Sequence, residues 1–230
     1  MSTAPELPQA LTPAAEHYFG QRLPVASRYA ERLATDGLVR GLIGPREVPR
    51  LWERHLLNSV ALVELLPTDA TVIDVGSGAG LPGIVLGIAR PDLTVVLVEP
   101  LLRRTTFLDE VVRELGLDRV LVLRARAEDV AGQVAPADVV VARAVAPLDR
   151  LAGWCLPLAR TGGRLLAVKG ASAGDEVVAH REAVRRTGGG VPVVVTCGAE
   201  WLNPPVTVIE VVRETAPSPA RRSGGTRGRR

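Results

Sequence analysis

Aromatic residues are scarce in this chain of 230 residues: phenylalanine, tyrosine and tryptophan together make up 3%. Its core must therefore be built from valine, leucine and alanine, and a 47% hydrophobic content supplies them. Cysteine is nearly absent. Cys155 and Cys197 lie far apart with no metal-ligand spacing, which excludes a disulfide framework and a zinc site and leaves two reduced, buried thiols as the expectation. No apolar run approaches the ~18 residues that a membrane span needs, and the N-terminus lacks the basic-then-apolar pattern of a signal peptide. A soluble, cytoplasmic protein without membrane or metal partners is expected, with a monomer as the default. Lysine is almost missing too: Lys169 is the only one, so arginine abundance by itself does not argue for RNA binding. The distribution says more. Residues 216–230 hold five arginines and no acid, whereas the whole chain is net +3, so residues 1–215 are net −2. The positive excess sits in one Pro/Ser/Gly-rich terminal stretch, which reads as a disordered basic tail.

What is abundant is glycine between Thr71 and Gly83. Thr71-Val72-Ile73-Asp74 reads as a short buried strand, and Gly76, Gly78, Gly80 and Gly83 follow, with Pro82 where a helix would begin. Glycine lets backbone approach a ligand closely and adopt positive φ, so strand, turn and helix start together form a nucleotide or nucleoside cradle. Gly78-x-Gly80-x-x-Gly83 matches a dinucleotide fingerprint, and an NAD-dependent oxidoreductase is one reading. In that fold the strand runs apolar into the first glycine. Here Asp74 precedes Gly76 by two residues. Its carboxylate would repel a pyrophosphate and suit a cation, such as the sulfonium and ammonium of S-adenosylmethionine. Glu99, at the end of the next strand, is placed to accept ribose hydroxyls. Both ligands carry a ribose, so Glu99 supports the cradle without choosing between them.

Ahead of the cradle the pattern is helical. Residues 1–12 look loose; Ala14 to Gly20 and Val25 to Asp36 are helical, and a stronger helix runs from Val48 to Leu66 with Leu51, Trp52, His55, Leu56, Ser59, Val60 and Val63 on one face. From Thr71 strands alternate with helices. Strands are expected at Thr94–Glu99, Val120–Leu123, Asp138–Ala142 and Arg164–Val168, with helices at Leu81–Ala89, Leu102–Leu115, Leu148–Leu158 and Gly174–Arg186 between and after them. Val191–Thr196 and Val206–Val212 then form an antiparallel hairpin. Five strands with helical crossovers demand a parallel sheet covered on both faces. The expected fold is α/β: a Rossmann-like class I methyltransferase, mostly parallel with a terminal antiparallel hairpin and preceded by an N-terminal helical extension. The domain expectation is 1–66 for the extension, 67–215 for the core and 216–230 for the tail.

Arg54-His55-Leu56-Leu57-Asn58-Ser59, the glycine stretch, Arg126–Asp129, Ala142–Leu148 and Ala167–Gly170, in that order, resemble the RsmG (GidB) family, the bacterial 16S rRNA guanine-N7 methyltransferases. The resemblance implies methyl transfer from S-adenosylmethionine to a guanine in the 530 loop, with 16S rRNA, the small subunit or its assembly intermediate as partner. It puts cofactor contacts on Gly76, Leu81, Ala127, Glu128 and Arg143, to which the residues' own chemistry adds Asp74, Gly78 and Glu99. Glu128 has a solvated or capping role as its alternative, and Arg143 a rim salt bridge with Asp149 or Glu99. Gly41-Leu42-Ile43 stands where the family usually has Asn-Leu-Thr, and Asn58 where it has Asp; both are expected to lie away from the cradle.

Guanine N7 carries a free lone pair, so no obligatory catalytic base is expected and alignment supplies most of the rate. Arg143, His55 and Lys169 are the positioning candidates, with a core role for His55 and a surface salt bridge for Lys169 as alternatives. Asn203-Pro204-Pro205-Val206 resembles the motif of amine-modifying methyltransferases. It lies in the hairpin loop rather than after the fourth strand, with valine replacing the aromatic residue, and reads as a decoy. A small-molecule acceptor and a non-enzymatic RNA assembly factor are the remaining alternatives.

Overall fold

The computed structural model describes residues 6–143 and 146–215; the basic tail expected at 216–230 lies outside them. A seven-stranded sheet has the order β3-β2-β1-β4-β5-β7-β6. Its strands are β1 (Thr71–Val75), β2 (Thr94–Val98), β3 (Val120–Leu123), β4 (Ala137–Arg143), β5 (Ala159–Lys169), β6 (Val193–Cys197) and β7 (Val206–Val212). The first five are parallel, while β7 runs antiparallel to both β5 and β6. The expected Rossmann-like layout with its closing hairpin is thus present.

Helices α1 (Thr12–Phe19), α2 (Leu23–Arg32), α3 (Asn58–Val60), α4 (Gly83–Ala89), α5 (Leu102–Leu115), α6 (Ala127–Val130), α7 (Leu148–Cys155) and α8 (Ala173–Arg186) surround the sheet. Alternate strand residues face opposite sides. Val72, Val95 and Val139 join a cluster with Ile84, Leu108 and the N-terminal helices. Ile73, Val96 and Val140 join a second cluster with Leu151 and Val184. Tyr29, Leu33, Leu51 and Leu56 share the first cluster with α4 and α5, so the helical extension and the sheet bury one continuous apolar surface. Helix α5 ends as the sequence predicts: Gly116, at φ 62°, closes it, and Leu117 N–H returns to the Val112 carbonyl.

Four expectations change. Residues 9–12 are ordered, with a 3-10 turn at Gln9–Leu11, because Leu7 and Leu11 pack on the core. The helix expected over 48–66 is a continuous but irregular helical segment over 45–65: a 3-10 stretch Pro45–Arg50, a π turn Leu51–Leu57, the α turn α3 and a 3-10 stretch Ala61–Leu65. Pro45 and Pro49 remove backbone donors from its start, and the wide turn that follows carries His55. Strand β5 begins at Ala159, five residues early, because Gly162-Gly163 form a bulge inside it rather than a loop before it. Ala137 pairs with Ala159 and Val139 with Arg164. A Cβ on Gly163 would lie 2.8 Å from the Asp138 carbonyl oxygen, so only glycine fits this close approach.

The fourth concerns the loop of residues 198–205. Because β7 is antiparallel to β5, Thr207 pairs with Lys169. The start of β7, and the Asn203-Pro204-Pro205 loop before it, therefore stand at the C-terminal end of β5. That is the edge where open α/β sheets hold their ligands. The motif is remote in sequence and adjacent in space.

Candidate active site

The glycine turn connects β1 to α4 and is shaped by positive φ at Gly76 (73°), Gly78 (59°) and Gly80 (97°). The N–H groups of Gly76 and Ser77 donate to the Val98 carbonyl, tying the turn to the end of β2. Tyr29 of α2 braces it from behind: its buried hydroxyl donates to the Ala79 carbonyl at 2.7 Å. A Cβ on Gly80 would sit 2.3 Å from Ile84 Cγ1 and 2.9 Å from the Tyr29 hydroxyl. The helical extension is therefore part of the cradle's support.

Two cavities open on either side of this turn. The first, of about 590 Å³, lies over the ends of β1 and β2 and is lined by Gly76, Glu99, Ala127, Glu128 and Arg143, among others. Glu99 is buried. Its Oε2 accepts from Gly78 N–H at 3.0 Å and from Arg104 Nη1 at 3.3 Å, and its Oε1 accepts from Leu101 N–H at 3.0 Å. A carboxylate offers about four acceptor positions, so one remains on Oε1 for a ribose hydroxyl. Ala127 and Glu128 start the single turn α6 at the cavity rim, where Glu128 is exposed. The sequence offers no local signal for two further wall residues, Arg150 and Trp154 of α7. They pair face-on, with the guanidinium carbon 4.8 Å from the indole centroid.

The second cavity, of about 740 Å³, lies between the turn, the helical extension and β5. It receives Gly78, Leu81, His55 and Lys169; Gly76 and Arg143 line both cavities and mark the seam between them. Leu42, Ile43 and Asn58 also line it, whereas none of them lines the first cavity.

Arg143 pairs with neither Asp149 nor Glu99. Its Nη2 lies 2.9 Å from His55 Nδ1 and its Nη1 donates to the Arg54 carbonyl at 3.3 Å. On the other side His55 Nε2 lies 2.8 Å from Glu47 Oε2. A guanidinium can only donate. Nδ1 must therefore be the acceptor, and the ring proton sits on Nε2, facing Glu47. Burial, then the Arg143 charge, lowers the His55 pKa, while Glu47 opposes them, so the ring is neutral at pH 7. The His55 hydrogen bond in turn holds the Glu47 carboxyl below its usual range. Burial lowers the Arg143 pKa from its ordinary value. Both ring nitrogens of His55 are engaged, and the chain Glu47–His55–Arg143 fixes the guanidinium at the seam. Glu47 was not among the residues singled out by sequence.

Lys169 is not a surface residue. Its Nζ, in a side chain only 9% exposed, donates to the Ala146 carbonyl at 2.8 Å and to Glu176 Oε2 at 2.7 Å. Glu176 also accepts from Leu148 N–H, so the lysine pins the start of α7 to α8 beside the cavity.

Asp74 is corrected. It lines neither cavity and is fully buried on the α4 face of β1, the face it shares with Val72. Its Oδ2 accepts from Gly83 N–H at 2.9 Å, capping the start of α4 from beneath, while Oδ1 has no hydrogen-bond partner. Burial raises its pKa to about 7. Gly83 permits this approach: a Cβ there would lie 2.7 Å from Asp74 Oδ2. The carboxylate supports the turn from beneath and lines neither cavity.

Among the described residues no group of His, Cys, Asp or Glu side chains is arranged to hold a metal ion, and no helix is long and apolar enough to cross a membrane. A family model described as GidB, rRNA small subunit methyltransferase G, matches residues 22–203. A protein named ribosomal RNA small subunit methyltransferase G from Salinispora tropica is 59% identical, over 96% of each chain. Its namesake from Corynebacterium efficiens is 55% identical over 90% of each. Among solved structures, a SAM dependent methyltransferase from Aquifex aeolicus aligns with TM-score 0.52 at 18% identity, covering 74% of this chain and 99% of that one. The cofactor-bound Rv0187 from MTB aligns with TM-score 0.57 at 18% identity, covering 91% of this chain and 100% of that one.

Proposed function

This chain belongs to the GidB family of rRNA small subunit methyltransferases, and we propose that it moves a methyl group from S-adenosylmethionine to N7 of a guanine in the 530 loop of 16S rRNA. The observation that carries the reading is the seam at Gly76 and Arg143, where two cavities meet in front of the glycine turn. The first cavity suits an adenosyl group. It offers a buried carboxylate, Glu99, with a free acceptor position, a rim formed by Ala127 and Glu128, and a wall formed by Trp154. The glycines leave the backbone bare where a cofactor must approach closely. S-adenosylmethionine bound there supplies an electrophilic methyl group, which leaves sulfur as N7 takes it.

The second cavity then receives the guanine. Neutral guanine presents N7 with its lone pair free, so no side chain has to remove a proton first. The polar groups found there fit that demand: His55 accepts from Arg143 at Nδ1 and donates its Nε2–H to Glu47, and Lys169 is held by Ala146 and Glu176. These groups position rather than exchange protons. Holding acceptor and methyl in line can supply roughly 7–11 kcal/mol of the barrier. N7 and O6 of guanine form the acceptor edge that arginine recognises best, and Arg143 stands at the seam to meet O6. The partner is 16S rRNA, presented in the small subunit or an assembly intermediate.

The test is transfer of labelled methyl from S-adenosylmethionine to small subunits lacking the modification, with the product mapped by chemical cleavage at 7-methylguanosine. A single cut in the 530 loop is expected. Incorporation without that cut overturns the choice of atom or site, and no incorporation into subunits or naked rRNA overturns the acceptor.

A further inference from the structure

Beyond the second cavity lies a groove of about 460 Å³ between the helical extension and the 198–205 loop. Arg54, Asn58, Val168, Lys169 and Gly170 line both, so the two spaces are contiguous. We propose that this groove is a subsite for the nucleotide adjoining the target guanine in the RNA strand. The proposal rests on the rRNA reading above and names residues that reading does not use: Arg50, Trp201 and Asn203.

The groove's chemistry is that of a nucleotide site. Trp201 and Pro204 line it with flat apolar surface. Asn203 is exposed, and among the described residues its amide has no hydrogen-bond partner, which leaves both donor and acceptor for a base edge. Among the described residues, Arg50 is exposed without an ion pair, and the side chain of Arg54, 52% exposed, holds only a 3.5 Å contact to Glu47. Against these two guanidiniums the groove lining carries one carboxylate, Glu53. The unpaired Arg50 and the loosely paired Arg54, beside a groove that continues from a base-sized cavity, match a phosphodiester that leaves the target nucleotide.

The loop is also built to stay put. Gly198 N–H donates to Glu64 Oε2 at 2.9 Å, and Glu64 Oε1 accepts from the Tyr18 hydroxyl. Trp201 and Leu202 N–H both return to the Gly198 carbonyl. The Trp201 ring stacks on His17 of α1, with centroids 4.4 Å apart and planes 17° from parallel. Trp201 packs partly on the first core cluster and remains partly exposed to the groove, held flat by His17, in a chain with 3% aromatics. A flat, fixed ring of this kind can serve as a stacking platform for a base.

The test compares the unaltered chain with Arg50→Ala/Asn203→Ala and with Trp201→Phe, which keeps a ring on His17. Initial rates are measured on unmodified small subunits and on naked 16S rRNA at saturating S-adenosylmethionine, and cofactor affinity is measured by calorimetry. KM for RNA is expected to rise roughly fivefold or more in the double variant, on both substrates, with kcat within about twofold and cofactor affinity unchanged. Trp201→Phe is expected to show a smaller rise of the same kind. An unchanged KM in both variants overturns the subsite, as does a rise seen on assembled subunits alone, which would assign the groove to a ribosomal protein. Loss of cofactor affinity in either variant overturns it by showing a structural role. Failure of the unaltered chain to methylate either substrate removes the rRNA reading itself, and the subsite with it.

Discussion

Asp74→Asn isolates the electrostatic cost of supporting the glycine turn with a buried carboxylate. In the folded chain the Asp74 pKa is raised from 3.8 to about 7, chiefly by burial. Between those two values the folded protein holds a proton that the unfolded chain has released. Stability must therefore fall as pH rises through the window. Below about pH 4 both states are protonated and the cost vanishes; above about pH 7 both are ionised and it stays constant. At roughly 1.4 kcal/mol per pH unit across the window, the full cost is about 4 kcal/mol. Asparagine keeps an oxygen for Gly83 N–H and removes the ionisation. It places an amide N–H₂ where Oδ1 has no partner, which costs about 1–3 kcal/mol. The variant should accordingly be about 1–3 kcal/mol more stable than the unaltered chain at pH 8, and less stable at pH 4. Urea unfolding of both proteins at steps from pH 4 to 8.5, without cofactor, measures the difference. A difference constant over that range refutes the argument, because it would mean that Asp74 is not held protonated by its surroundings.

Gly83→Ala should cost about 1–3 kcal/mol and lower the thermal midpoint, since its Cβ would fall 2.3 Å from Leu97 Cδ2 and against Asp74; Gly153→Ala in α7, with nothing within 4 Å of the added carbon, should instead gain about 0.5–1 kcal/mol. Equal effects in calorimetric melts would refute the packing account. Deleting residues 216–230 removes five arginines and should weaken RNA affinity and lower the salt slope of log K by up to about 4, with S-adenosylmethionine affinity intact; a salt titration of rRNA binding checks this, and an unchanged slope removes the tail from the interface.

Local rules made much of the fold legible. Valine-rich runs bounded by turns placed all seven strands, and Gly116 ended α5 where the pattern stops. The glycines of the turn announced a backbone that must bend to positive φ. At Gly162-Gly163 the same signal misled, because a glycine pair marks a bulge as well as a loop, and only the pairing of β4 with β5 distinguishes them. Asp74 reads in the sequence as an acid facing the ligand; the strand's alternation instead turns it toward α4, where it props the turn away from the cavities.

What tertiary structure alone decided is which distant residues meet. Arg143 and His55 are 88 positions apart, and their bond exists because the helical extension folds back over the C-terminal end of β4. The Asn203-Pro204-Pro205 loop reaches the ligand edge because β7 runs opposite to β5, so its beginning lies beside the end of that strand. Periodicity and turn chemistry act over a few residues and are written in the sequence. Strand order and direction depend on how the whole apolar surface is buried, and here they determine which side chains line the site.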